Sequence, residues 1–192
     1  MITIDTLMIT LRDRGGSQYG SESVTYLEHA LQCAALAQQN SESDALVAAC
    51  LLHDIGHMLH ELGEDVAQQG INDRHEHLAP RYLASLFGPA VTEPIRLHVQ
   101  AKQYLCAINK RYWDSLSPAS QTSLELQGGI FSKADAKRFI YQRYAPDAVK
   151  LRLWDDQAKV SGHKTPGLDH FLPVLQACYL CDRAHQSAPL AL

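Results

Sequence analysis

The chain has 192 residues, 46% of them hydrophobic and 20% charged, with a formal net charge of −4. That length sustains one globular core rather than two, and the acidic balance argues against a broad nucleic-acid-binding face. No apolar run approaches a membrane span, and residues 1–11 carry Asp5 and no Lys or Arg, unlike a secretory signal.

Helical periodicity runs through the chain. Leu27, Leu31, Ala34 and Ala35 fall at helical spacing and predict a helix over 24–39. Ser41 and Asp44 have the form of a capping box opening an apolar helix over 45–55. A third helix is expected over 76–87, ended by Gly88-Pro89, and Thr92 is placed to cap a fourth that reaches about 105. Ser117-Pro118 starts a short helix with proline at its first position. Ser132 opens another over 132–144, Pro146 one over 147–160, and the last spans 168–184. No stretch alternates with period two, so the fold class is all-α, one domain over 1–185 with a flexible tail over 186–192.

The five cysteines (Cys33, Cys50, Cys106, Cys178, Cys181) are odd in number and widely spread. They read as reduced thiols in a cytoplasmic protein, and the Cys178-Tyr-Leu-Cys181 pair as helix packing. Charge divides unevenly, with 5 basic and 13 acidic residues over 1–100 but 11 basic and 6 acidic over 101–165. The basic stretch reads either as solvated helix faces or as a positive site for a small anion.

Ten histidines are the outstanding count, since imidazole is the commonest biological metal ligand. His53 and Asp54 lie together in an apolar helix, where an unpaired aspartate costs several kcal/mol unless a cation meets it. His57, four residues on, is expected on the same helical face. A zinc-protease reading of His53 and His57 fails because Asp54 stands where that motif needs Glu. His98 and Lys102 are one helical turn apart, and Arg152 and Asp155 repeat the arrangement three residues apart. Each pair sets a cation beside a candidate ligand.

His29, His53-Asp54 and the distant Asp155 resemble the H…HD…D signature of the HD-domain superfamily, an all-helical fold with one or two metal ions in its core. His75 and His98 complete a six-ligand set like that of its dinuclear members, in which the HD aspartate bridges both metals. Further stretches resemble the mixed-valent diiron oxygenases, above all the enzymes that cleave 1-hydroxyphosphonates and more distantly myo-inositol oxygenase. They are Tyr19-Gly-Ser-Glu22, His53-Asp-Ile-Gly-His57, Arg74-His-Glu-His77, His98-Val-Gln-Ala-Lys102, Leu126-Gln-Gly-Gly129 and Arg152-Leu-Trp-Asp155-Asp-Gln-Ala-Lys159.

The resemblance implies two iron ions, Fe(II)/Fe(III), held by His29, His53, Asp54, His75, His98 and Asp155, with O2 as co-substrate. The ligand types also suit manganese or zinc. It implies a small anionic 1-hydroxyphosphonate substrate contacted by His57, Lys102, Arg152 and a serine, where Ser120 fits by spacing and Ser123 is the rival. It further implies that Tyr19 caps an iron position until substrate arrives and that Glu22 engages an amino group, drawing Tyr19 away. His75 is preferred to His77, and Asp155 to Asp156. His60, His163, His170 and His185 have no matching role. The expected reaction is O2-dependent C–P cleavage giving inorganic phosphate and a carboxylate. Alternatives are oxidation of another small hydroxy compound such as a polyol, or HD-type hydrolysis of a nucleotide or phosphate ester. A degenerate, purely binding HD module would not need all six ligands. Neither nucleic acid nor membrane is expected as a partner, and the sequence leaves oligomeric state open.

Overall fold

Side-chain caps start most of the helices. Thr3, Thr25, Ser43, Asn109, Ser117 and Ser132 each accept a hydrogen bond from a backbone N–H of the first turn that has no partner inside the helix. The computed structural model describes residues 2–59 and 70–180. Within them run α1 (Ile4–Arg14), α2 (Tyr26–Gln39), α3 (Asp44–Leu52), α4 (His75–Leu83), α5 (Pro89–Ile108), α6 (Lys110–Ser115), α7 (Pro118–Leu126), α8 (Lys133–Ile140), α9 (Ala145–Gln157) and α10 (Leu172–Ala177). Among the described residues no strand forms, only two isolated bridges. The fold is all-α.

The α2–α3 contact is built from small residues. Cys33, Ala34 and Ala37 on α2 and Ala48, Ala49 and Cys50 on α3 are fully buried, and side chains this short let two helices approach closely. The long α5 lies against α3, α4, α8 and α9. His29 lies on α2, His53 just after α3, His75 at the start of α4 and His98 on α5. A second, smaller apolar cluster joins Leu97 and Ala101 of α5 to Phe139 of α8 and Ala145 and Ala148 of α9.

Several boundaries differ from the sequence reading. The cap of α3 is Ser43, not Ser41, which takes a left-handed φ of 57° in the preceding turn. Helix α3 ends at Leu52, and a 3-10 turn follows over Ile55–Met58. His57 therefore does not share a helical face with His53. The α5 helix starts a turn earlier than expected, on Gly88 with Pro89 in its first turn, and leaves Thr92 buried inside it. Helix α4 ends at Leu83, and past it Phe87 bridges to Tyr179 and the Leu86 carbonyl accepts from the Leu180 N–H (3.0 Å). The last helix is broken into a 3-10 turn over Leu168–Phe171 and α10, with Pro173 in the first turn of α10. Helices α1 and α6 are additional to the expected set. His60, Cys181, His185 and the tail expected over 186–192 lie outside the described residues.

Candidate metal centre and anion pocket

Four imidazoles are fastened by the same device. The Nδ1 atoms of His29, His53 and His98 pair with the backbone carbonyls of Ala158 (2.8 Å), Cys50 (2.9 Å) and Ile95 (2.6 Å). His75 Nδ1 pairs with Asp73 Oδ1 at 2.9 Å. An Nδ1 donor leaves Nε2 with a free lone pair, and in all four rings Nε2 turns inward. The His29 and His53 Nε2 atoms are 3.2 Å apart, as are those of His75 and His98.

Asp54 stands between the two pairs. Its Oδ2 lies 3.3 Å from His53 Nε2 and 3.7 Å from His29 Nε2, and its Oδ1 3.5 Å from His75 Nε2 and 3.7 Å from His98 Nε2. Asp155 joins the first pair, with Oδ1 at 3.5 Å from His29 Nε2. His29, His53 and Asp155 form one group able to hold a cation, and Asp54, His75 and His98 a second. Gly56 makes this convergence possible. A Cβ there would fall 2.4 Å from the His75 carbonyl oxygen, so only glycine lets the 3-10 turn press against the start of α4.

The electrostatics call for a cation. Asp54 Oδ2 and Asp155 Oδ1 are buried and accept no hydrogen bond, which carboxylates rarely tolerate. Burial pushes His29 down to about 4. His53, equally buried, is driven the other way by Asp54, up to about 10. A metal ion bound at His53 Nε2 would take the place of the proton that Asp54 draws there. Burial works against ionised Asp54 and Asp155, yet His53 beside Asp54 and Arg152 beside Asp155 hold both carboxyls below their ordinary range. Neutral imidazole and ionised carboxylate donors on two fixed groups fit divalent or trivalent metal ions.

Beside the centre opens a cavity of about 310 Å³ lined by Tyr19, Glu22, His57, Lys102, Ser120, Arg152 and Lys159 among others. His57 reaches it from the 3-10 turn, with Nδ1 on Asp73 Oδ2 (2.5 Å) and its ring stacked on His75. Lys102 Nζ donates to Ser123 Oγ (2.7 Å) and the Ser120 carbonyl (3.5 Å). Burial, with Arg152 nearby, lowers this ammonium to about 7. Arg152 is gripped by Asp155 (2.7 Å) and by Asp156, which also accepts from the Tyr112 hydroxyl. Ser120 Oγ accepts from Arg152 Nη2 (3.4 Å) and Lys159 Nζ (3.0 Å). Tyr19 stacks on His29 (centroids 4.2 Å apart). Burial and the two aspartates raise this phenol well above its ordinary value.

Of the residues singled out in the sequence, the structure brings His29, His53, Asp54, His75, His98, Asp155, Tyr19, His57, Lys102, Ser120, Arg152 and Glu22 to this one region. Both rival serines touch Lys102. His77 is half exposed and sits beside Glu76, away from the centre, and His170 lies on the surface against Gln38. Asp73 and Tyr112 escaped the sequence reading, which weighed Asp156 only as a rival ligand to Asp155 and gave Lys159, inside a matching stretch, no role. Lys159 stands four residues after Asp155, a spacing that could have drawn attention to it. Asp156 likewise stands four residues after Arg152, whereas Asp73 and Tyr112 act through partners that spacing does not reveal.

Comparison with known proteins agrees with this geometry. The HD-domain family matches residues 26–136. A Gimesia maris protein named hydroxymethylphosphonate dioxygenase is 44% identical over 176 residues, 91% of this chain and 87% of that protein. A Leisingera caerulea protein named [1-hydroxy-2-(trimethylamino)ethyl]phosphonate dioxygenase (glycine-betaine-forming) is 36% identical over 163 residues, 85% of this chain and 83% of its own length. With this match across most of its length and the paired histidine–aspartate groups in its core, the chain belongs to the HD-domain family, in the branch that holds these two phosphonate dioxygenases.

Proposed function

We propose that the protein is a cytoplasmic oxygenase that cleaves the C–P bond of a small 1-hydroxyphosphonate with O2. The observation that carries this reading is the abutment of a two-group histidine–aspartate centre and a cation-lined pocket, with Asp54 facing both metal groups. The names of the two dioxygenase relatives support the reaction class.

His29, His53 and Asp155 would hold one iron and His75 and His98 the other, with Asp54 shared between them. A mixed-valent Fe(II)/Fe(III) pair bound there would supply the redox capacity to activate O2 and oxidise the hydroxyl-bearing carbon. The protein's own residues do the rest. Arg152, Lys102, Ser120 and His57 bind the phosphonate and fix its approach. The buried walls exclude water and strengthen each of those contacts. Tyr19 covers the centre beside His29 and would have to move for substrate to reach it. One substrate and one O2 give one carboxylate, one phosphate and one proton, with no external reductant.

Anaerobic loading with Fe(II) followed by limited O2 should give a half-integer-spin EPR signal that 1-hydroxymethylphosphonate perturbs. Turnover should consume one O2 per phosphate released. Hydrolysis of phosphate esters with Mn(II) and no O2 uptake would overturn the proposal in favour of a hydrolase.

A further inference from the structure

Lys159 follows the end of α9, and its chain neighbours fix it in place. The Ala158 carbonyl takes the His29 Nδ1 bond (2.8 Å). Val160 pairs both backbone groups with one side chain: its N–H donates to Gln32 Oε1 (3.1 Å) and its carbonyl accepts from Gln32 Nε2 (2.9 Å). Lys159 thus stands between two anchors that tie the end of α9 to α2. Its ammonium enters the cavity, 3.1 Å from Glu22 Oε1, 3.0 Å from Ser120 Oγ and 5.6 Å from the centre of the Tyr19 ring.

Three cations therefore meet at one serine: Lys159 and Arg152 at its hydroxyl, Lys102 at its carbonyl. Their counterions differ. Arg152 is neutralised by Asp155 and Asp156 of its own helix. Lys102 has the neutral oxygens of Ser123 and Ser120. Lys159 pairs with Glu22, which lies in the short turn that begins at Tyr19 and also accepts from the Ser117 hydroxyl (2.5 Å). The turn is tight, with the Glu22 N–H on the Tyr19 carbonyl (2.9 Å) and Gly20 at φ 53°. Tyr19 and Glu22 are thus held in one turn.

We propose that Lys159 is a further phosphonate-binding residue, paired with Glu22 and transferred to the substrate's anionic head when substrate binds. The same exchange frees the Tyr19–Glu22 turn. A dianionic oxygen cluster beside Ser120 offers Lys159 more negative charge than one carboxylate, with Arg152 already adjacent. When Lys159 leaves Glu22, the turn loses the contact that ties it to the end of α9, and Tyr19 loses the ammonium that covers its ring. The trigger is the phosphonate head alone, so a 1-hydroxyphosphonate without any cationic substituent suffices to open the site. This rests on the function proposed above for the identity of the anion.

The test uses the full chain, metal-loaded and anaerobic, with inorganic phosphate and 1-hydroxymethylphosphonate as probes in titration calorimetry. Lys159→Met should weaken binding of both about 10- to 100-fold, as expected for one charge-assisted contact, and Lys159→Arg should stay within about threefold. Glu22→Gln removes the competitor and should tighten binding roughly fivefold, but leave affinity unchanged within about twofold when Lys159 is already Met. In fluorotyrosine-labelled protein, the Tyr19 resonance (identified with Tyr19→Phe) should move on adding phosphate. In Lys159→Met it should lie near that shifted position before any phosphate is added. Phosphate affinity unaltered by Lys159→Met, or a Glu22→Gln effect of equal size in both backgrounds, overturns the proposal. If phosphate binding depends on Lys159 while no hydroxyphosphonate drives O2 uptake, the function above fails and this assignment stands. Normal O2 uptake with Lys159-independent binding defeats this assignment alone.

Discussion

The two halves of the site are held by different means. Around the metal centre, three of four imidazoles lean on backbone carbonyls, which move only if a helix moves. In the anion pocket, the polar contacts that hold the cations are largely to other side chains: Lys102 on Ser123, Arg152 on Asp156, Lys159 on Glu22. A metal site gains from rigidity, because ligand geometry sets affinity. A substrate pocket must trade partners, and side-chain partners exchange without disturbing the fold.

The largest effect should come from cutting the residue common to both metal groups. Asp54→Ala should reduce bound metal below two ions per chain and lower turnover about a thousandfold or more, measured by elemental analysis and O2 uptake. Full metal occupancy in that variant would overturn the proposed sharing of Asp54 between two metals. Arg152→Lys tests the other half. It should leave metal content intact yet cost roughly 100-fold in kcat/KM, since an ammonium cannot reproduce the fork held by Asp155 and Asp156. A drop in metal content would show that the halves are less separate than their contacts suggest.

Asp73 sharpens the comparison because it belongs to both sides, with Oδ1 on His75 and Oδ2 on His57. Asp73→Asn should weaken metal affinity about 10- to 100-fold, the range for partners that orient a ligand imidazole, and raise KM as well. An effect on KM alone would place Asp73 wholly with the pocket.

The smallest predicted effect concerns pH. Lys102 is lowered to about 7, so above that pH a growing fraction of empty pockets carries a neutral amine. Binding an anion then requires proton uptake, and Kd should rise up to about tenfold per pH unit. Lys102→Arg stays charged throughout. The ratio of wild-type to Lys102→Arg affinity should therefore fall from pH 6.5 to 8.5, while a flat ratio would place the proton elsewhere.

Much of this was legible in the chain. Hydrophobic spacing located α2 and α3, Ser117 and Ser132 marked the starts of α7 and α8, and Pro146 that of α9, since caps, first-turn prolines and amphipathic faces are local properties. The pairing of His53 with Asp54 in an apolar helix marked a buried cation site on energetic grounds alone. What stayed hidden depends on separations that periodicity cannot measure. His57 enters the pocket through a 3-10 turn that Gly56 permits, not along the α3 face. Lys159 meets Glu22 across 137 positions, and Gln32 meets Val160 across 128.

Composition and order thus determined an all-α, histidine-rich chain with an acidic first half and a basic second. They did not determine which carboxylate neutralises which cation. Asp155 and Asp156 are adjacent in sequence, yet helical rotation turns the first toward His29 and the second toward Tyr112 and Arg152. The acid–base pairings that separate ligand from counterion arise only when α2, α5 and α9 close around the site. Burial makes each unpaired charge costly, and the packed helices leave each charge few partners within reach.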